Sequence, residues 1–426
     1  MIDYERVRQS QTKYRQAIAD KGVPLDLDAW FCAYEQQRRL RAEVDGLRQK
    51  RNQLTERIAA ARQGPTGPAQ APDLVAEARV VGQQLVLAEE HLRLAQLTLN
   101  KLDDLMPGLP DPEAPPGFSD ADNVEIRRFG LAEPLVAGGF DHLELMLRHK
   151  MVDLGVREMA GSRAYALTGL GALLELAVLR LALDLVLSRG FTPVLPPLMV
   201  RAEAMRGTGY FPLGEDNAYQ LEKDGLFLTG TSEVGMVAML AGRLMDEGTL
   251  PLRMAGISPC FRREAGSAGR DVRGLYRVHQ FQKVEQVVVC GADEELARQE
   301  HLALLANSED ILQALELPYR IVKVCRGEMG LGQTFKHDIE TWMPSRNAFG
   351  ETHSCSSFED FQGRRLNIRY KDNRGKKKFV YTLNNTAIAS PRILIPLLEV
   401  HQKANGAIRV PEALRPYLGG RDLIGT

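Results

Sequence analysis

Two long stretches near the start of the chain carry apolar or small residues at alternating spacings of three and four. The first seam reads Trp30, Ala33, Leu40, Val44, Leu47, Leu54, Ile58 and Ala61, broken only by Gln37 and Arg51. The second reads Leu74, Ala78, Val81, Leu85, Ala88, Leu92, Ala95, Leu99, Leu102 and Met106 without a break. Such spacing is that of a coiled-coil seam, where each helix buries one stripe against a partner. Between them, residues 64–72 hold three prolines and two glycines, which predicts a turn, with Asp73 capping the second helix. Helices joined by a short turn pack antiparallel, and each would run roughly 50 Å at the α-helical rise.

The pattern then changes. Residues 107–117 carry five prolines and two glycines and read as a linker. An apolar helix is expected over Gly171–Arg189, followed by β-rich runs at 226–229, 283–290, 319–325 and 379–383 that helices interrupt irregularly. Without βαβ alternation, the expected class is α+β: an N-terminal antiparallel two-helix coiled-coil arm over residues 1–108, and a domain over 109–426 with an antiparallel β-sheet flanked by helices.

Composition adds little until it is read locally. With 44% hydrophobic and 26% charged residues the chain is ordinary globular material. Lys and Arg number 54 against 55 Asp and Glu, so a nucleic-acid partner needs a local basic surface. Residues 38–62 supply one, with eight Lys and Arg against three Asp and Glu. On a solvated rod this is either a plain helix surface or a strip for a phosphate backbone. Five scattered cysteines without a C-x-x-C pair argue against a disulfide framework and a zinc site, and point to a reducing cytoplasm. No signal-peptide core and no membrane-length apolar run are visible. Neither the dinucleotide nor the phosphate-loop glycine pattern occurs, so an ATP site would need another design.

That design is visible at residues 259–285: a strand end bearing Arg262 and Glu264, a glycine-rich loop, and a return strand bearing Phe281, Lys283 and Glu285. Strand alternation is expected to put Arg262 with Glu264 on one face, and Phe281 with Lys283 and Glu285 on one face of the return strand. The run F-R-x-E-A-G-S-x-G-R-D-x-x-G-L-x-R-x-H-Q-F-x-K-V-E resembles motif 2 of the class II aminoacyl-tRNA synthetases, and is similar to that of the seryl-tRNA synthetase family. The resemblance extends to the helical arm and the linker. It also takes in Gly190–Pro197 as motif 1, the Thr229-Gly-Thr-Ser-Glu233 loop, Gly350-Glu-Thr-His-Ser-Cys355, and Thr382–Arg392 running into Glu399 as motif 3.

The resemblance implies a class II catalytic domain that activates L-serine with ATP and transfers it to tRNASer, and to tRNASec. It implies that Arg262 holds the serine carboxylate and the ATP α-phosphate, Glu264 accepts from the adenine amino group, and Phe281 stacks on adenine. Arg277 and Arg392 would clamp the outer phosphates, with Arg262, Glu264 and Arg392 the catalytic set. Glu351 and Ser354 match the family's Mg²⁺ ligands. Thr231 and Glu233 would meet the serine amino group, Glu285 and Thr386 its hydroxyl, and Asn384 joins the serine pocket. Arg38, Arg41, Arg48 and Arg51 on the arm are the tRNA-binding candidates, and motif 1 implies a homodimer. Four positions depart from the family's usual residues: Phe335 for Lys, His337 for Tyr, Gly350 for Arg and Val400 for Asn. Other readings are a ligase charging a carrier protein, a non-catalytic RNA-binding paralogue, and a duplicate serving an antibiotic pathway or resistance.

Overall fold

A computed structural model describes residues 2–63, 67–265 and 274–425. Of the turn expected over 64–72, residues 67–72 are helical instead, and residues 64–66 lie outside the described residues, as does the centre of the motif 2-like loop, 266–273. The chain divides into two compact units, residues 23–106 and residues 1–22 with 107–426.

The smaller unit is the helical hairpin. Helix α1 (Leu27–Gln63) starts where the Asp26 carboxylate accepts the N–H groups of Asp28 and Ala29 at 2.8 and 3.3 Å, the usual N-cap arrangement. Helix α2 (Gly67–Asp104) begins six residues earlier than Asp73 and contains Pro72. A helix's first turn has no intrahelical use for its N–H groups, so Pro68 fits there, and Pro72 gives up one bond just beyond it. Trp30, Leu40, Val44 and Leu54 are buried, as are Val81, Leu85, Ala88, Ala95 and Leu99, so the seam forms as spaced. Gln37, which interrupts the pattern, is buried too, and donates to Gln96 Oε1 at 2.9 Å. A polar pair inside an apolar seam costs stability but fixes register. Further cross-links run antiparallel: Trp30 Nε1 to Asp103 at 2.8 Å, Arg48 to Glu89 at 2.8 Å, and Lys50 to Glu77 at 2.9 Å.

The first 22 residues, expected in the arm, belong instead to the larger unit. Arg6 pairs with Glu359 and Asp360, Arg364 reaches Asp3 at 2.8 Å, and Lys21 donates to the carbonyls of Gly330, Leu331 and Gln333. These contacts outweigh sequence proximity to the hairpin.

The larger unit is built on eight strands: β1 (Val124–Phe129), β2 (Thr192–Val194), β3 (Leu252–Phe261), β4 (Gln280–Cys290), β5 (Tyr319–Lys323), β6 (Phe335–Met343), β7 (Ala348–Ser357) and β8 (Tyr381–Ser390). In space they run β1-β5-β6-β7-β8-β4-β3-β2. Every pairing is antiparallel except β2 with β3, which is parallel. Strand β2 is an edge, which is why Pro193 is tolerated in it.

One sheet face packs on α3 (Leu170–Ser188) and α5 (Glu294–Ala314), which follows α4 (Ser232–Ala238) in the chain. This core joins Leu174, Val178, Ala182, Leu304 and Leu312 to Val284, Val288, Ile339, Cys355 and Ala387. The other face packs Val287 and Val289 on Met236 and Val237 of α4, and beyond this apolar patch it is polar. Among the described residues no helix is long and apolar enough to cross a membrane.

Candidate active site

Three central strands and the N-terminus of α4 bring the candidate side chains to the polar sheet face. Along β4 the odd positions share that face, and Lys283 Nζ lies 2.5 Å from Glu285 Oε2, both side chains buried. Cross-strand pairing sets Glu285 against Thr386, whose hydroxyl donates to Glu285 Oε2 at 3.4 Å. Thr231 caps α4 by accepting the Glu233 N–H at 3.3 Å. Glu233 takes the Gln362 amide at 2.7 Å and is also bonded by Asn384. Burial pushes the Glu233 carboxyl up to about 7, with Glu285 adding to the rise and Gln362, Lys283 and Asn384 opposing it. The five serine-pocket candidates beside Arg262 thus form one buried polar cluster.

Arg262 leaves the end of β3 and lies over Phe281, with Cζ 5.2 Å from the ring centroid; its Nε donates to Gly230 O at 3.3 Å. Burial opposes its charge, yet Tyr210, Cys260, Glu264 and Glu351 hold the guanidinium above its ordinary value. The expected shared face for Arg262 and Glu264 does not arise by alternation. The strand stops at Phe261, and Glu264 adopts a left-handed φ of 53°. It accepts Arg277 Nη1 at 3.0 Å and lies 3.9 Å from Arg163 Nη1. His279, through Nδ1, meets Arg262 O at 3.0 Å, a structural contact.

Glu351 and Ser354 lie three apart on β7, so strict alternation would place them on opposite faces. A register shift between Ile339 and Glu340 of β6 leaves Thr352 as an extra residue, and both side chains come to the polar face opposite Glu340 and Asp338. Burial works against the Glu351 carboxylate, but Lys336, Arg392, Arg262 and Arg277 keep it below its ordinary value. Asp338 is raised to about 6 by burial and by Glu351, against the pull of Lys336 at 2.9 Å. Ser354 bonds Asp338, while Asp338 Oδ1 is buried with no hydrogen-bond partner. An orphaned carboxylate oxygen beside a carboxylate and a hydroxyl is a hard-oxygen set that suits Mg²⁺. Arg392 donates Nε to Tyr276 O at 3.2 Å and Nη1 to Glu351 O at 3.0 Å.

Three contributors escaped the sequence reading. Lys283 was visible on the right face but lacked a role. Gln362 and Asp338 gave no signal, since a glutamine 129 residues from its partner and an aspartate in an alternating strand look ordinary. Of the four departures, Phe335 and His337 lie on the opposite sheet face, where they pack with His301 of α5. His301 Nε2 meets His337 Nδ1 at 2.9 Å, and burial lowers His337 to about 4. Neither touches the polar face. Val400 packs partly buried against the core, and Gly350 borders Tyr276. On the arm Arg38, Arg41 and Arg51 are exposed, whereas Arg48 is engaged by Glu89.

An antiparallel sheet carrying arginines, carboxylates and an aromatic platform in this order is the catalytic core of a class II aminoacyl-tRNA synthetase, and residues 218–401 match the model of the tRNA synthetase class II core domain (G, H, P, S and T). Residues 1–111 match the seryl-tRNA synthetase N-terminal domain. Over 426 residues the chain is 44% identical to serine–tRNA ligase of Deinococcus radiodurans, covering 100% of this chain and 99% of the relative. It is 38% identical to that of Clostridium tetani, with 100% of both covered. The crystal structure of seryl-tRNA synthetase from Pyrococcus horikoshii complexed with ATP superposes with a TM-score of 0.88 at 33% identity, covering 100% of this chain and 99% of that one. The chain belongs to the seryl-tRNA synthetase family.

Proposed function

We propose that the protein is an ATP-dependent serine–tRNA ligase. The observation that carries the reading is the buried cluster of Glu233, Lys283, Glu285 and Thr386 beside Arg262: it offers carboxylates for an ammonium, a matched pair for a hydroxyl and a guanidinium for a carboxylate. Arg262 steers a serine carboxylate oxygen onto the α-phosphorus, where a new P–O bond forms as the bond to the leaving pyrophosphate breaks. A terminal hydroxyl of tRNASer, or of tRNASec, then attacks the seryl carbonyl and AMP leaves. Thr231 and Glu233 receive the serine ammonium, and Glu285 with Thr386 and Asn384 its hydroxyl. Phe281 supports the adenine ring, Glu264 accepts its amino group, and Arg277 and Arg392 clamp the outer phosphates. Glu351, Ser354 and Asp338 would hold Mg²⁺, which when bound neutralises phosphate charge. The other groups position and stabilise charge, so little general acid–base chemistry is required.

On the arm, Arg38, Arg41 and Arg51, with Arg48 as a paired neighbour, contact the tRNA backbone, and the protein works in the cytoplasm. It works as a homodimer. A cavity of about 820 Å³ lined by Met159, Leu176, Leu179, Leu183 and Ile257 supports this, since so apolar a surface suits a second copy of the chain.

The test is pyrophosphate exchange with each amino acid in turn. Serine should far exceed alanine, threonine and cysteine, because a site built for a hydroxyl leaves buried polar groups unpaired without it. Glu285→Ala should cost about 2–4 kcal/mol in kcat/KM for serine. Equal exchange with serine and alanine would overturn the reading.

A further inference from the structure

Tyr276, which precedes Arg277, carries two guanidinium groups over its ring. Arg392 Cζ and Arg346 Cζ each lie 4.4 Å from the ring centroid, so they are no more than twice that distance apart. Attraction to an aromatic face holds each cation, and two guanidinium groups gathered on one ring offer a paired positive charge to a multiply charged anion reaching both. The Arg392 side is fixed by its bonds to the backbone of Tyr276 and Glu351. Arg346 sits exposed at the tip of the β6–β7 hairpin, at the end of a 3₁₀ turn over Pro344–Arg346.

The aim of that turn is set from the buried motif 3 segment. Glu399, 2% exposed, accepts the Ser345 N–H at 2.9 Å and the Ser345 hydroxyl at 2.8 Å. The same carboxylate accepts the His142 N–H and meets His142 Nδ1, both at 2.9 Å. His142 Nε2 in turn takes the Leu275 N–H at 3.4 Å, next to Tyr276. One buried carboxylate therefore anchors both the turn that bears Arg346 and the backbone that bears Tyr276. Gly350 leaves room for the ring, since a Cβ there would lie 3.2 Å from Tyr276 Cε2 and 3.1 Å from Met343 Sδ. Arg346 brings a positive charge to this neighbourhood.

We propose that Arg346, held on the Tyr276 ring, binds the outer phosphates of ATP and the pyrophosphate product, as a second cation beside Arg392. The inference rests on the reading of this face as an ATP site. It names a subsite that touches only the leaving group, so its signature is a split between ligands with and without outer phosphates.

The experiment uses the full-length protein, with ATP and AMP affinities from calorimetry and KM values for ATP, serine and pyrophosphate from exchange. R346A should weaken ATP binding about tenfold, the usual scale for losing a charge-assisted bond. It should raise KM for pyrophosphate to a similar degree, while leaving AMP affinity and KM for serine within twofold. R346K should recover part of the loss. R346Q, which keeps a polar stem of similar bulk, should reproduce the loss if R346A proves poorly folded. Y276L should weaken ATP in the same way, and its effect should not add to that of R346A, because the two residues act as one unit. ATP and pyrophosphate constants within twofold of native in R346A or R346Q would overturn the proposal, as would an equal loss for AMP. Failure of the unmodified protein to exchange pyrophosphate with serine would instead count against the function, since the ATP-against-AMP split is read without turnover.

Discussion

Glu233 and Glu285 are neighbouring carboxylates on one polar face with different partners. Glu285 has the Lys283 ammonium 2.5 Å away, whereas Glu233 has neutral amides from Gln362 and Asn384 and is raised by burial to about 7. Near neutral pH such a group is partly protonated, and only its ionised form attracts the ammonium of serine. Raising the pH through 7 ionises it, so kcat/KM for serine should climb about tenfold between pH 6 and 8, reporting the free enzyme's carboxyl. Glu233→Gln should lower kcat/KM for serine and flatten that profile, and a slope surviving in the variant would assign it elsewhere. Much of this chemistry was legible from spacing, because strand β4 keeps period two and so sets Phe281, Lys283 and Glu285 on one side. Glu264 was not, since its backbone leaves the strand and turns to a left-handed φ of 53°, a change that no alternation rule foresees. Gln362 reaches Glu233 only through the tertiary fold, and no local pattern marks it.

Elements add constraints that no single residue carries. The extra residue Thr352 turns Glu351 to the same side as Ser354, so the pair proposed to hold Mg²⁺ depends on a bulge. Nothing in the run Gly350-Glu-Thr-His-Ser announces that bulge, whereas the arm seam was readable almost residue by residue, because its helical period persists over many turns. The exception is Gln37, whose burial follows from a partner on the other helix. Helix α3 shows the opposite imbalance. Half of its apolar residues are buried, yet Leu173 and Leu176 remain 49% and 63% exposed, as Met159 is at 84%. Leu176 and Met159 line the apolar cavity, whose wall also includes Phe281 and His279. If a second copy covers this surface, light scattering at micromolar concentration should give about twice the 47.3 kDa chain mass. Leu176→Asp would bury an unpaired charge at the contact and should yield monomers, with exchange activity falling as the wall behind Phe281 is exposed. A stable native monomer would remove the dimer from the account.

At the scale of the whole chain, the division into two compact units makes the arm separable. The hairpin spans residues 23–106, and its two ends approach each other, as the 2.8 Å bond from Trp30 to Asp103 shows. Residues 1–22 stay with the larger unit through Arg6, Asp3 and Lys21, so removing the hairpin need not release them. Charge refines what the arm can do. Its basic strip belongs to α1, whereas α2 brings acids, and residues 23–106 together hold 11 Lys and Arg against 12 Asp and Glu. A rod with no net positive charge would not collect nucleic acid indiscriminately; contact through exposed Arg38, Arg41 and Arg51 would favour one face and a particular backbone shape. Replacing residues 27–104 by a short Gly/Ser linker should therefore leave serine-dependent pyrophosphate exchange within severalfold of native, because every candidate serine and ATP residue lies in the other unit. Aminoacylation of tRNASer should fall by about a hundredfold or more, the scale expected when several phosphates are no longer neutralised by arginine. In the intact protein, the Arg38, Arg41 and Arg51 triple alanine variant should weaken tRNA binding and reduce its salt dependence without changing exchange. Near-native charging of tRNASer by the shortened protein would show that recognition resides in the larger unit, and would leave the basic strip of α1 as an ordinary solvated helix surface.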